Sequence, residues 1–590
     1  MKKSILHIVF GLTIAGFILT SCEDMFGGFL DKQPSNELTG KQTFSNWSTT
    51  TEFHFDTYNF LRHGACRIGN SWMDAATDLA ETSYSNAGTR VSFNIGNYYS
   101  GAAASELSDT WEHYYRAIRK CNMLLDTIDV VPKSIDLSDE KYETDKLNYK
   151  SESRFLRAYF YWELFLRYGP IPIVTKVLNP NGDLFTGYET RPSVKEYIVD
   201  FILPELKECE KGLMDYETGK KSQNAGRISQ PMARALYSRI MLYMASARFS
   251  NESGITWDQA AKAARGFIED YGTKYGLYTA SQNPIENYTN AILRNTYSES
   301  NNEVIFWRND VKANWASISN DTPVGEGGNG GLCPSQNLVD MYDMADGSSP
   351  FTQYDETGAP IYNGINCPTI RIESNYDDNA PYKNRDPRLA ASILYHGVKW
   401  GNGTINVIKG QRDNPSGNAN ATPTGYYVRK YIPESILSVN HSGSSYRNWI
   451  IFRYAEIILN YAEALNEDGG SREDVLNILQ PLRDRAGLTA KLVNRTDLQT
   501  QDEIRNFIRK ERTVELAFED HRAWDVHRWN VAEKALARPI YGIDVTLNGD
   551  KTIYSRKIAQ ERVFAPKMYL YPIPEGEIWK TNIENNPGWE

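Results

Sequence analysis

The chain has 590 residues, and 64 Lys+Arg against 74 Asp+Glu leave a formal net charge of −10, which repels phosphate backbones and argues against nucleic-acid binding. A mean hydropathy of −0.53 excludes a polytopic membrane protein, and 41% hydrophobic with 23% charged residues exclude a disordered chain. The 37 Tyr, 13 Trp and 22 Phe bring the aromatic share to 12%, and Tyr and Trp suit surfaces with one wet side.

The chain opens with Lys2 and Lys3, then an apolar run over residues 5–19, too short for a reliable spanning helix. Leu19-Thr20-Ser21-Cys22 follows and resembles a bacterial lipobox. We therefore expect a lipoprotein signal peptide over residues 1–21, lipidation at Cys22 and an acylated tether over residues 22–40. The competing reading is an ordinary secretory signal with an incidental Cys. Acyl chains partition into a bilayer at roughly 0.8 kcal/mol per buried CH₂, so two or three hold firmly. Glu23 and Asp24 resemble the surface-export signal of Bacteroidetes lipoproteins, which implies the outer face of the outer membrane. The remaining cysteines, Cys66, Cys121, Cys209, Cys333 and Cys367, are odd in number and form no CxxC. Buried free thiols are the expectation.

Helical periodicity dominates two blocks. Trp111, Tyr115, Ile118 and Leu125 share one stripe, and Phe155, Ala158, Tyr159, Trp162 and Phe165 another, stopped by Gly169-Pro170. Further helices are predicted over residues 197–206, 232–247, 451–465, 475–482 and 502–518. Helix, short turn, helix, recurring every ~35–50 residues, indicates a TPR-like scaffold in which neighbours must stack to bury their apolar faces. Residues 314–445 are rich in Gly, Pro, Asn and Asp, with β-like runs such as Tyr426-Tyr427-Val428. They read as long loops and short strands on the helical frame, where function usually sits. The fold class predicted is mainly α: a TPR-like helix-turn-helix array with a loop-rich ligand face and a few short strands. Its parts are an N-terminal helical part, 41–313, and a C-terminal part with long loops and closing helices, 314–590.

Three motifs invite catalytic readings. Glu511, Glu515 and Glu519 are four apart and stack on one helix face. A glycosidase pair must flank a bond across a cleft, so an ion-pair lattice with Arg505, Arg509 and Arg512 of the same helix is the better reading. His521 and His527 are six apart, unlike the HExxH spacing that lets two histidines reach one zinc; they read as satisfied structural histidines. Gly325-Glu326-Gly327-Gly328-Asn329-Gly330 fits GxGxxG, but no strand pattern precedes it. It reads as a mobile loop beside the ligand face. No GxSxG elbow occurs, and no metal or cofactor is expected; Ca²⁺ lacks an EF-hand pattern.

In chain order, the motifs include Phe29-Leu30-Asp31, Arg154-Phe155-Leu156-Arg157-Ala158-Tyr159-Phe160 and Gly169-Pro170-Ile171-Pro172. Then come Gly226-Arg227-Ile228-Ser229, Asn302-Glu303-Val304-Ile305-Phe306 and Asn384-Arg385-Asp386-Pro387-Arg388-Leu389. Gly425-Tyr426-Tyr427-Val428-Arg429-Lys430, Phe452-Arg453-Tyr454-Ala455-Glu456 and Leu459-Asn460-Tyr461-Ala462-Glu463-Ala464 follow. Arg485-Ala486-Gly487-Leu488, the run from Glu511 to Glu519, and Tyr571-Pro572-Ile573-Pro574 close the set. Together they resemble the SusD/RagB family of Bacteroidetes outer-membrane lipoproteins over nearly the whole mature chain. The resemblance implies a helical fold with TPR-like pairs, and a partner: a SusC-like TonB-dependent barrel over which the lipoprotein sits as a lid. It implies capture of an oligosaccharide or polysaccharide for import, or in some members a peptide, without hydrolysis. A lipoprotein glycoside hydrolase and a helical adaptor without small ligand are the remaining alternatives.

Sugar rings present an apolar C–H face and a hydroxyl rim, so aromatic rings beside Asp, Asn and Arg are the candidate contacts. Two stretches carry that mix, at places comparable to the family's ligand loops. The first supplies Asn70, Trp72, Asp78, Arg90 and Tyr98, the second Trp307, Asn314 and Trp315. Trp72 and Trp315 lead, each with polar neighbours, whereas Trp111 and Trp162 on helical stripes are expected in the core.

Overall fold

The computed structural model describes residues 40–68, 71–83, 88–101, 105–179, 181–182, 185–294, 301–308, 310–437 and 441–589. The predicted signal peptide and nearly all of the tether, with Cys22, and the candidate Asn70 lie outside these residues. The predicted helices occur in the predicted order, and Trp257–Tyr271, which lies among them, was not predicted. Ser105–Thr127 packs against the long helix Asp139–Tyr168. Ser138 caps the latter by accepting from Lys141 N, with Asp139 and Glu140 in the first turn, where they favour the helix dipole. From Phe155 onward nearly every side chain is buried, as expected where a helix is covered on all sides. Gly169 ends it at φ 69°, a conformation an L side chain rarely adopts. Trp162 is fully buried and Trp111 nearly so, both in the main core as expected.

Lys195–Ile202 is a wider π-helical stretch running into Leu203–Glu210. Pro204, which cannot donate a backbone hydrogen bond, sits where the register changes. Gln230–Ala245 and Trp257–Tyr271 pack on each other, and the second also packs on Tyr454–Glu467. That helix in turn packs on Arg472–Arg485 and Gln501–Glu515. Thr256 with Gln259, and Thr500 with Glu503, form capping boxes that start two of these helices. The array is the stacked helix-pair scaffold that the periodicity predicts. One apolar core runs from Leu61 to Trp589 through both parts of the chain.

Strands are short and paired two by two among the described residues. Val304–Trp307 pairs antiparallel with Ile450–Arg453, and Ala80–Thr82 with Leu332–Pro334. Tyr427–Val428, inside the predicted β-like run, pairs with Ile393–Leu394. The longest pair, Ile540–Asn548 with Lys551–Gln560, was not predicted. Its signal was present: alternating residues on both sides of Gly549-Asp550, the two-residue turn between the strands, with Gly549 at φ 60°.

Candidate functional site

The second predicted stretch leads into the accessible part of the site, and the first is tied, through Trp72 and Ser83, to the segment that follows the second. Beyond Val304–Trp307, Ala313 and Ser445 exchange backbone hydrogen bonds of 2.8 and 3.0 Å, zipping the outgoing loop to the one that leads into Ile450–Arg453. Asn314 then caps the short helix Trp315–Ile318. Its Oδ1 accepts from Ser317 N at 3.2 Å, and Ser317 Oγ accepts from Asn314 N at 2.8 Å. Ile318 is fully buried and pins the turn. Asn314 stays exposed and Trp315 half-buried.

One face of the Trp315 indole lies on the His441 imidazole, with centroids 3.6 Å apart and planes 8° from parallel. His441 Nε2 is 3.0 Å from Glu326 O; a carbonyl only accepts, so Nε2 carries the proton and donates. Gly327 takes φ 85°, and a Cβ there would stand 3.4 Å from His441 Cε1. At Gly328 a Cβ would stand 2.2 Å from Thr322 O, so no side chain fits. The glycine run is thereby folded back on residues 319–322, with Asn329 N donating to Ser319 O at 2.9 Å. Beside the stack, the Lys312 ammonium lies 5.1 Å from the Tyr446 ring centre. The result is an accessible shelf of stacked rings bordered by amide, hydroxyl and cationic groups.

Trp72 holds the shelf from below. It is fully buried, and its Nε1 donates to Asp321 Oδ1 at 3.0 Å. Asp321 Oδ2 accepts from Arg447 Nη2 at 2.7 Å, and Arg447 Nη1 donates to Ser317 O at 2.8 Å. Ser83 adds a second tie: its Oγ donates to Asn329 O at 2.8 Å.

Comparison with known proteins places this architecture. The SusD family model matches residues 271–589, more than half the chain. The chain belongs to the SusD family. A second model, described as starch-binding associating with outer membrane, matches residues 28–243. SusD-like protein P25 of Formosa agariphila is 23% identical over 538 residues, 87% of this chain and 88% of that protein. SusD-like protein P2 of the same organism is 31% identical, but over 28% of this chain and 30% of its own length. A crystal structure of a SusD-like protein from Bacteroides fragilis superposes with a TM-score of 0.74 at 27% identity, covering 94% of this chain and 100% of that one.

Within this SusD-family chain, five predicted ligand residues are interior, and the prediction is corrected for each. Trp72 serves the shelf as support and is closed off from a ligand. Asp78 clasps Arg522 through both carboxylate oxygens, at 2.9 and 2.7 Å. Arg90 pairs with Glu81. Tyr98 stacks on Phe93 at 4.6 Å and packs against Trp589, and its burial pushes the hydroxyl pKa up. Trp307 is buried within its strand. For Trp72, Asp78 and Arg90 the polar groups that suggested a wet surface are themselves buried partners. Asn314 and Trp315 are left accessible. Sequence reasoning missed His441, Tyr446 and Lys312, and no spacing signal links the first two to Trp315.

The catalytic motifs resolve as structure. Glu511, Glu515 and Glu519 are buried, but their cations come from elsewhere in the chain, which corrects the same-helix lattice. Glu515 meets Arg388 at 2.9 Å, Arg453 at 2.7 Å and also Arg485; Glu511 meets Arg388 at 2.6 Å and Arg483 at 3.0 Å; Glu519 meets Arg453 at 2.7 Å and Lys430 at 2.6 Å. Arg512 instead binds Asp525, and Arg505 binds Glu467. His521 and His527 are buried, but neither ring nitrogen of His527 has a partner, so it is not the satisfied histidine expected. Burial pulls its pKa down to about 3, which keeps it neutral. No His/Cys/Asp/Glu cluster fit for a metal occurs among the described residues. Cys121, Cys209 and Cys333 are buried free thiols and Cys367 a half-buried one; burial pushes Cys121 up to about 12.

Proposed function

We propose that this chain is a surface-exposed, lipid-anchored receptor that captures oligo- or polysaccharide on the Trp315–His441 shelf and passes it to a SusC-like TonB-dependent barrel for import. The observation that carries the reading is a flat aromatic pair, half-open to solvent, with exposed Asn314 on the same turn. Such a ring offers its face to the C–H face of a sugar, while amides and hydroxyls select hydroxyl stereochemistry. The starch-binding description of the matching N-terminal model and its outer-membrane association support both the ligand class and the location. Capture involves no chemistry, and Cys22 carries the acyl chains that hold the protein at the membrane.

Acyl-free protein from Glu23 onward, run through native gels loaded with soluble polysaccharides, tests this. Retardation by one polysaccharide without release of reducing ends is the expected result. Release would overturn capture without chemistry, and no retardation by any glycan would overturn the glycan cargo.

A further inference from the structure

A cleft of about 700 Å³ opens between Trp257–Tyr271, Tyr454–Glu467 and Gln501–Glu515. It shares no residue with the Trp315 shelf. Carboxylates line it, and each has a cation. Arg528 clasps Glu463 at 2.5 and 2.7 Å, and Arg505 clasps Glu467 at 2.7 Å through both oxygens while also reaching Asp502. Lys534 holds Glu356, and Arg538 holds Asp355.

Arg509 is the exception among these lining charges. Its Nη1 donates to the carbonyl of Glu356 at 2.5 Å, and its guanidinium lies 4.8 Å from the Trp529 ring centre. No described carboxylate pairs with it. Its Nε is buried without a partner, and Nη2 donates to no described group. Elsewhere in this molecule the same Nε/Nη2 edge meets either backbone carbonyls, as in Arg191, Arg385 and Arg472, or the two oxygens of one carboxylate. Arg239 grips both oxygens of Glu456 with it at 2.7 and 2.6 Å, Arg495 those of Asp497 at 2.9 and 2.7 Å, and Arg522 those of Asp78 at 2.9 and 2.7 Å. This fork fits a carboxylate in both geometry and charge. The cleft also carries a half-buried indole, Trp257, and the exposed Ile361.

We propose that this cleft is a second binding site, in which Arg509 takes the carboxylate of a small organic acid whose ring or chain lies on Trp257. A uronate of an acidic glycan and the terminus of a short peptide share that chemistry. Burial holds the Arg509 guanidinium down to about 10, and an arriving anion would relieve that cost.

Titration calorimetry on the acyl-free protein tests the site with three probes: trigalacturonate, its methyl ester, and acetyl-Ala-Ala. At least one free carboxylate is expected to bind and the ester to bind at least ten-fold more weakly; which acid binds names the source. Arg509→Gln is expected to weaken the bound acid at least ten-fold. Arg509→Lys, which keeps the charge and loses the fork, is expected to weaken it at least three-fold and serves if the glutamine variant does not fold. Binding of neither acid, equal binding of the ester, or unchanged affinity in a folded Arg509 variant overturns the proposal. Trp315→Ala should leave acid binding unchanged, which separates this site from the glycan shelf.

Discussion

At the scale of single residues, accessibility decides what each aromatic does. Trp72 and Trp315 have similar polar neighbours in sequence, yet one is fully buried and the other half-open. Trp315→Ala is expected to weaken polysaccharide binding by about ten-fold, the ~1.4 kcal/mol of one lost ring contact, with the melting temperature nearly unchanged. Affinity gel electrophoresis beside a thermal melt reads both. Asp74 makes a different point. Burial, reinforced by the nearby Asp520, pushes its pKa up to about 8, and its Oδ2 has no partner. A carboxyl raised in the folded state costs stability increasingly as pH climbs from the ordinary carboxylate value near 3.8 toward 8. Asp74→Asn should therefore stabilise the protein at pH 7.5, by at least about 1 kcal/mol, and do little at pH 4. Urea unfolding at the two pH values checks it.

At the scale of elements, the helix Gln501–Glu515 and the turn after it organise the interior. The four-residue spacing places its carboxylates in a row, and the turn at Phe518 and Asp520, both at positive φ, carries Glu519 toward Arg453 and Lys430. The helix thus ends at Glu515, three residues before its predicted end. Arg453 joins Glu303, Glu515 and Glu519, and so ties its strand to three segments. Removing one partner strands the others in a low-dielectric interior. Arg453→Met is expected to cost about 3–5 kcal/mol, read as a lower denaturant midpoint with the slope unchanged.

At the scale of the whole molecule, acid is the weak direction. Burial alone would raise Glu163 and Glu463, but Arg67 with Arg167 outweighs it at the first and Arg528 at the second, holding each at about 2. Glu515 is held well below its ordinary value against the same burial by Arg485, Arg453 and Arg388. A carboxylate depressed in the folded state contributes stability that is complete above its unfolded value, near 4.5, and is lost as pH falls toward its folded value. The melting temperature should fall steeply between about pH 4.5 and 2 as these carboxylates protonate, and His521 and His527, held neutral in the folded state, should add a shallower loss that begins as pH drops below their ordinary value near 6.5. Calorimetry across that range checks it.

Much of this was legible in the chain itself. The predicted helices and the stop at Gly169 followed from apolar period and local punctuation, which act over one or two turns, whereas the caps at Ser138, Thr256 and Thr500 and the helix Trp257–Tyr271 went unread. The motifs pointed to the right family, Trp315 is accessible among the aromatic candidates, and the turn at Gly549-Asp550 held an unread hairpin. Tertiary structure alone decided the rest. It seated His441 on Trp315, placed Trp72 beneath the shelf rather than on it, gave Glu511, Glu515 and Glu519 cations from distant segments, and left Arg509 without an ion-pair partner among the described residues. Spacing fixes which side chains share a face of one element. Which faces meet, and which charges are shut away from water, depends on packing between segments far apart in sequence, and no local period encodes that.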